Sequence, residues 1–121
     1  MKRIPCIIIG VALLLFASCG QQQQAKSVVK DFMEQHLADA SDLSYLDFSD
    51  VDSTRVVSDS LLQAMRRGVS DRYQSPLPFT DRRSPKLFHI RVNYTLGQDT
   101  CSATFYLDSE LSSVVALKEN R

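Results

Sequence analysis

Two stretches of strictly alternating character, joined by Gly97-Gln98, constrain this chain more than any other feature. Phe88, Ile90, Val92, Tyr94 and Leu96 alternate with His89, Arg91, Asn93 and Thr95, and Cys101, Ala103, Phe105 and Leu107 alternate with Thr100, Ser102, Thr104 and Tyr106. A period of two puts one kind of side chain on each face of a strand, so each run has a buried and a wet face in an antiparallel sheet. Gly97-Gln98 suits a two-residue type II′ turn, which wants glycine first. That turn sets the register. Tyr94 faces Cys101, Val92 faces Ala103, Ile90 faces Phe105 and Phe88 faces Leu107, while the Leu96–Asp99 pair beside the turn is mixed. On the wet face His89 meets Tyr106 and Arg91 meets Thr104. A four-residue loop, Gly97 to Thr100, preserves the same facing.

The remaining elements read from their own periods. Val28, Val29, Phe32, Met33, His36 and Leu37 recur at three- and four-residue steps, opposite Lys26, Lys30, Asp31 and Glu34, which predicts an amphipathic helix ending near Asp39. Leu43 to Val57 reads as an extended, partly irregular strand. Ser60-Leu61-Leu62-Gln63 fits a capping box, Leu61, Leu62 and Met65 form an apolar face, Arg66 and Arg67 suit the negative helix end, and Gly68 can close it. Pro76, Pro78 and Pro85 make 75–85 a loop. After a turn at Ser109 to Leu111, Ser113 to Lys118 reads as a last short strand with Val115 and Leu117 inward. The predicted class is α+β, in the order helix-strand-helix-strand-strand-strand. One or two helices pack on one face of a curved antiparallel sheet of about four strands.

Upstream of the domain, Lys2 and Arg3 precede an apolar run from Ile7 to Phe16, and two small residues, Ala17 and Ser18, lead into Cys19. That order is a secretory leader with its cleavage site set against a cysteine. A membrane span is the poorer reading, since Ile4 to Ser18 as a helix covers roughly 22 Å of a hydrocarbon core of about 30 Å. Leu15-Phe16-Ala17-Ser18-Cys19 resembles the lipobox of bacterial lipoproteins, with Phe16 standing where that family usually has leucine. The resemblance implies removal of residues 1–18 and acylation of Cys19. It implies at least two acyl chains, and at about 0.8 kcal/mol per buried methylene two chains hold permanently where one is marginal. Gly20, in place of an aspartate that favours the inner membrane, implies the outer membrane. The Gln21–Gln24 run lacks the acidic cluster that some relatives use for surface export, so the periplasmic side is expected. The chain then divides into a signal peptide (1–18), an acylated cysteine with a Gln-rich tether (19–25) and a single domain (26–121).

Charge narrows the partners. The chain carries 14 Lys+Arg and 14 Asp+Glu, and loss of Lys2 and Arg3 with the leader leaves 12 basic residues. A nearly neutral domain lacks the broad basic footprint of nucleic-acid binding. The charges are unevenly placed. Asp39, Asp42, Asp47, Asp50, Asp52 and Asp59 face a single Arg55 in one segment, and Arg66, Arg67, Arg72, Arg82, Arg83, Lys86 and Arg91 outnumber Asp71 and Asp81 in the next. Two solvated segments that attract each other explain this, as does a basic loop facing an anionic partner or lipid headgroups. Cys6 leaves with the leader and Cys19 takes the lipid, so Cys101 is the one thiol of the mature chain. Its strand position makes it a core residue rather than a redox centre.

Catalytic motifs are absent. Asp50-Val51-Asp52-Ser53-Thr54 has the letters of a phosphotransferase loop but lacks the preceding parallel strand. As a calcium loop it places Arg55 where glycine is needed and Leu61 where glutamate is needed. His36 and His89 share no metal-ligand spacing with each other or with Cys101. No Gly-x-Ser-x-Gly elbow accompanies the serines. No cofactor, metal site or catalytic residue is therefore assigned. The candidate binding surface is His89, Arg91 and Tyr106 on the wet sheet face, with Arg82 and Arg83 in the Pro76–Lys86 loop.

The element order over residues 26–118 resembles the cystatin-like group and the cone-shaped folds of nuclear-transport-factor type, which serve binding, inhibition and catalysis alike. The Gln-x-Val-x-Gly loop of cystatin inhibitors is missing. The expectation is a lipid-anchored, non-enzymatic interaction module of the cell envelope, contacting the membrane through Cys19 and an envelope protein or small ligand through its exposed surface. The alternative is a small pocket enzyme or ligand carrier on a cone-like fold, with His89, Arg91 and Tyr106 lining the cavity.

Overall fold

A computed structural model describes the backbone of residues 3–120 and the side chains of residues 20–120. The lipobox-like stretch and the expected lipidation site at Cys19 lie outside the residues whose side chains are described. The chain forms α1 (Arg3–His36), a 3₁₀ turn (Ala40–Asp42), β1 (Leu43–Phe48), β2 (Asp52–Thr54), α2 (Asp59–Arg67), β3 (Leu87–Leu96), β4 (Asp99–Leu107) and β5 (Val114–Asn120). The strands make one open antiparallel sheet in the order β1-β3-β4-β5, with β2 also paired to β3. Two helices on an antiparallel sheet give the α+β class that the patterning predicts.

The β3–β4 hairpin carries the register read from its alternation. Phe88 pairs with Leu107, Ile90 with Phe105, Val92 with Ala103, Tyr94 with Cys101 and Leu96 with Asp99. Gly97 has φ of 61° and Gln98 keeps a negative φ, the combination of a type II′ turn and not of type I′. Ile90, Val92, Ala103, Phe105 and Leu107 are fully buried, and Ala25, Val29, Phe32, Met33 and Leu37 of α1 lie against that face. Phe32 is the hub. Its ring stacks on Phe79 at 5.9 Å and meets Phe105 edge-on at 5.8 Å, geometries that add about 0.5–1.5 kcal/mol per pair beyond area burial.

The extended 43–57 segment splits into two strands, giving five rather than about four. Between Tyr45 and Asp47 the pairing with β3 shifts by one residue at Leu46. This bulge brings Phe48 round to the side of Tyr45, and the two rings lie 5.6 Å apart beneath the ammonium groups of Lys26 and Lys30. Leu46, left over by the bulge, is 56% exposed.

The second helix corrects the expectation that both helices share one face. Leu62 and Met65 of α2 pack with Val57 against Leu87, Val115, Ala116 and Tyr106. Leu87 is adjacent to inward-facing Phe88, and Ala116 lies opposite Tyr106, so these residues belong to the outer face. α1 covers the inner face and α2 one end of the outer face. The expectation for Val115 fails for a related reason. The pairing shifts between Tyr106 and Leu107, so Val114 and Leu117 enter the main core and Val115 joins the α2 cluster. The α2 cap also differs. Ser58, not Ser60, is the N-cap and accepts from Leu61 N at 3.1 Å, while Asp59 opens the helix, where its charge suits the positive end. Gly68 closes α2 as predicted.

From α2 the chain wraps round the β5 edge to the inner face. Tyr73 is buried beside Leu37, and Val69, Leu77 and Phe79 pack on the main core. Ser70 bonds the Glu119 carboxylate twice at 2.7 Å, and Thr80 N donates to Val114 O at 3.0 Å. Arg66 donates to Val115 O and Thr80 O, both at 2.9 Å, with its guanidinium over the Phe79 ring. A free sheet edge invites pairing with other chains, and this wrap covers one of the two.

The Gln-rich segment is no extended tether. It lies within α1, and its side chains are used. Gln22 Nε2 donates to Ser49 O at 2.9 Å and Gln22 Oε1 accepts from Val51 N at 2.6 Å. Gln24 Nε2 donates to Leu111 O at 3.2 Å, and Ala25 is fully buried. Polar composition suggested low complexity; these contacts over long sequence separations make the segment part of the fold.

Candidate functional site

The outer face, which α2 meets at Tyr106 and Ala116, is built by strand pleating and register. His89, Asn93 and Thr95 of β3 have cross-strand partners on both sides, and Arg91 has one on β4, so outward side chains align in rows. Asp52, His89, Tyr106 and Ala116 form one row, Arg91, Thr104 and Lys118 a second, and Asp47, Asn93, Ser102 and Asn120 a third. Adjacent rows sit two residues apart along each strand, within reach of long side chains.

The hairpin brings His89 and Tyr106 together as the sequence implies, with ring centroids 6.0 Å apart and planes 40° apart. Arg91 is exposed one row away, while its backbone N donates to Ser49 Oγ at 2.8 Å. Asn93 Nδ2 donates to Asp47 Oδ1 at 2.7 Å, and Asn120 Nδ2 to Ser102 Oγ and Thr104 Oγ1 at 3.3 and 3.2 Å. The third row is therefore internally satisfied. The His89, Arg91, Tyr106 and Lys118 side chains present donors and rings outward, with Asp52 beside His89.

The loop arginines part company. Arg82 turns inward, with its side chain 15% exposed. It donates to Val57 O and pairs with the Asp59 carboxylate at 2.5 Å. It clamps the loop to the start of α2 and is not presented as a contact residue, which corrects its place in the candidate surface. The Arg82–Asp59 pair joins the acidic and basic segments, as their attraction suggested. Arg83 is exposed and lines concavities with Asp108 and with Asp59, neither of which includes Arg91.

None of the five concavities described is lined by His89, Arg91 or Tyr106. The one beside Arg83 and Lys86, closed by Asp108, Glu110 and Ser112, holds about 160 Å³. Ligand pockets typically run from about 300 to 1,000 Å³ with mostly apolar walls, and this one is small and polar. At its rim Asp108 accepts from the backbone and side chain of both Ser112 and Ser113. Partial burial opposes its ionisation, but these four bonds outweigh that and hold the carboxyl below its ordinary value.

Three other titratable groups are displaced, all tyrosines: Tyr45, raised by partial burial and then by the Glu34 carboxylate its hydroxyl bonds, and two inside the core. Burial raises the Tyr73 and Tyr94 phenols, whose hydroxyls lie 3.2 Å apart, so neither ionises near neutrality. Cys101, beside Tyr94, is a buried free thiol, as its strand position implies. Among the described residues no group of three or more His, Cys, Asp or Glu could hold a metal ion, and no helix is long and apolar enough to cross a membrane. Asp50 and Asp52 lie at an antiparallel edge, without the buried parallel strand that phosphotransferase chemistry needs.

Sequence reasoning missed the companions that β1, β2 and β5 bring to the outer face: Asp47, Asp52, Lys118 and Asn120. Their strands were legible, but their partners were not. The signal would have been the pairing of 43–54 with β3, which no local turn specifies. No family model, no curated protein and no solved structure matches this chain.

Proposed function

We propose that this chain is a bacterial lipoprotein, cleaved before Cys19, acylated there and seated in the outer membrane facing the periplasm. Its domain acts as a binding or interaction module without catalytic activity. The observation that carries this reading is the ordered leader: Lys2-Arg3, the apolar run to Phe16, then Ala17-Ser18-Cys19. The outer sheet face supports it as the contact surface. His89, Arg91 and Tyr106 stand in adjacent rows of the outer face and line none of the described concavities, which suits them to a polar or anionic patch on another envelope component.

The anchor is tested by intact mass of protein extracted from bacterial membranes, comparing wild type with Cys19→Ala. A diacylglyceryl-modified mature chain in wild type, and none in the variant, is expected; a retained leader or unmodified thiol rejects the anchor. The surface is tested with a photo-crosslinking residue at Thr104. A discrete adduct that disappears in Arg91→Ala with Tyr106→Ala is expected. An adduct unaffected by both changes assigns the contact elsewhere.

A further inference from the structure

We infer that the anchored domain rests directly against the bilayer in one orientation, with its β1–β2 and β4–β5 turns at the lipid headgroups and the Gly97-Gln98 turn pointing away. This rests on acylation at Cys19. The argument is one of reach. Gln22 is fastened to Ser49 and Val51, Gln24 to Leu111, and Ala25 is fully buried. Gln22 is three residue steps from Cys19, about 4.5 Å as helix and at most about 11 Å fully extended. A domain of about 100 residues has a radius of gyration of about 13 Å, and its outer radius is larger still. A leash shorter than the body it holds does not allow tumbling. The points where the leash is fastened must lie nearest the glyceride.

Those points define the membrane-facing end. Ser49 to Val51 form the β1–β2 turn, and Leu111 belongs to the β4–β5 turn, whose φ of 55° at Leu111 and four-bond Asp108 brace hold it in shape. Exposed Asp50, Ser109 and Glu110 lie in these two turns. The end carries Asp50, Asp108 and Glu110 with Arg83 and Lys86 beside the β4–β5 turn, so the short anchor rather than a net charge holds it to the surface, and the desolvation cost of these charges excludes insertion into hydrocarbon. The opposite end is fixed by Gly97 N donating to Asp42 O at 3.0 Å, just beyond the far end of α1. From Gln22 to Leu37 the helix rises about 22 Å, so Gln98 stands about that much further from the lipid than Asp50. The sheet then stands on its end, which leaves the His89–Arg91–Tyr106 face open sideways to an envelope partner.

The test uses the acylated protein reconstituted into phosphatidylcholine vesicles containing headgroup-spin-labelled lipid. Single cysteines at Asp50→Cys, Glu110→Cys and Gln98→Cys, in a Cys101→Ala background, carry an environment-sensitive fluorophore. Quenching at positions 50 and 110 severalfold above that at 98 is expected. Equal quenching at all three, with acylation verified by mass, overturns the orientation while leaving the anchor intact. An unacylated mass removes the anchor, and the orientation with it. A ten-residue Gly-Ser insertion after Gly20 supplies the second arm. It should equalise the three sites without loss of acylation; an asymmetry that survives the insertion shows that the short leash is not its cause.

Discussion

Arg66 and Arg67 are neighbours at the end of α2 that local sequence treats alike, and the structure assigns them different work. Both gain from the negative helix end, a contribution of about 0.3–1 kcal/mol. Arg67 is exposed, whereas the Arg66 side chain is 17% exposed and donates to Val115 O and Thr80 O. Hydrogen bonds from a charged donor contribute about 1.5–3 kcal/mol each, and the low end applies here because water can reach the carbonyls once the arginine is gone. The contact with Phe79, 5.8 Å from guanidinium carbon to ring centroid, adds about 0.5–1 kcal/mol. Asp81, 3.9 Å from Arg66 and 97% exposed, adds little. Arg66→Met keeps the apolar stem and removes both bonds and the cation over Phe79, so the expected loss is about 3.5–4 kcal/mol, against less than about 1 kcal/mol for Arg67→Met. Arg66→Lys, which can serve one carbonyl, should fall between. Urea titration of the chain from residue 20 onward, followed by circular dichroism, measures all three. Thermal midpoints should separate in the same order, by about 4–8 °C per kcal/mol. If Arg66→Met and Arg67→Met agree within about 0.5 kcal/mol, the arginine clamp does not hold the wrap over β5 and the helix-end contribution suffices.

Removing either hydroxyl of the buried pair, as Tyr73→Phe or Tyr94→Phe, should cost about 1 kcal/mol by leaving the other without its partner. The double variant should then cost less than the sum of the two, and a strictly additive double-mutant cycle counts against the bond. Gly97→Ala should destabilise by about 1–2 kcal/mol from backbone strain alone, since φ is 61° and nothing lies within 4 Å of the added carbon. A neutral result would mean that the hairpin turn relaxes to another type. Asp108 has a lowered folded pKa, so its contribution is present above the ordinary carboxylate value of 3.8 and is lost as pH falls through the folded value. The urea midpoint of wild type should therefore decline more steeply than that of Asp108→Asn between pH 5 and pH 3; parallel curves would remove the link.

How much was legible follows from the range of each interaction. The hairpin was readable to the residue because a two-residue turn ties Phe88–Leu96 to Asp99–Leu107, and every pair from Phe88–Leu107 to Leu96–Asp99 was then forced. The stripe of α1 and the closing Gly68 were readable for the same reason: helix periods and caps act over four residues. Ser58 was passed over for Ser60 because only Ser60 has a glutamine three residues on, Gln63, whereas Leu61 holds that place after Ser58, and the start of α2 is settled by which turn buries Leu62 and Met65. The polar outer face was predicted through His89, Arg91 and Tyr106. That none of these three lines a described concavity was not, because a pocket depends on what the neighbouring elements leave uncovered.

By itself the sequence determined whatever is decided between residues close in the chain: the alternating strands, their turn and the helical stripes. Only the tertiary structure decided which face α2 covers, that Val115 leaves the main core, that Arg66 and Arg82 turn inward while Arg83 and Arg91 stay out, and that Gln22 and Gln24 are fastened to turns far along the chain. Each of these is a contact over a long sequence separation, chosen when packing and hydrogen bonding are satisfied across the whole domain at once. No local pattern carries that information, because the partner of each group is set by the fold and not by its neighbours in sequence.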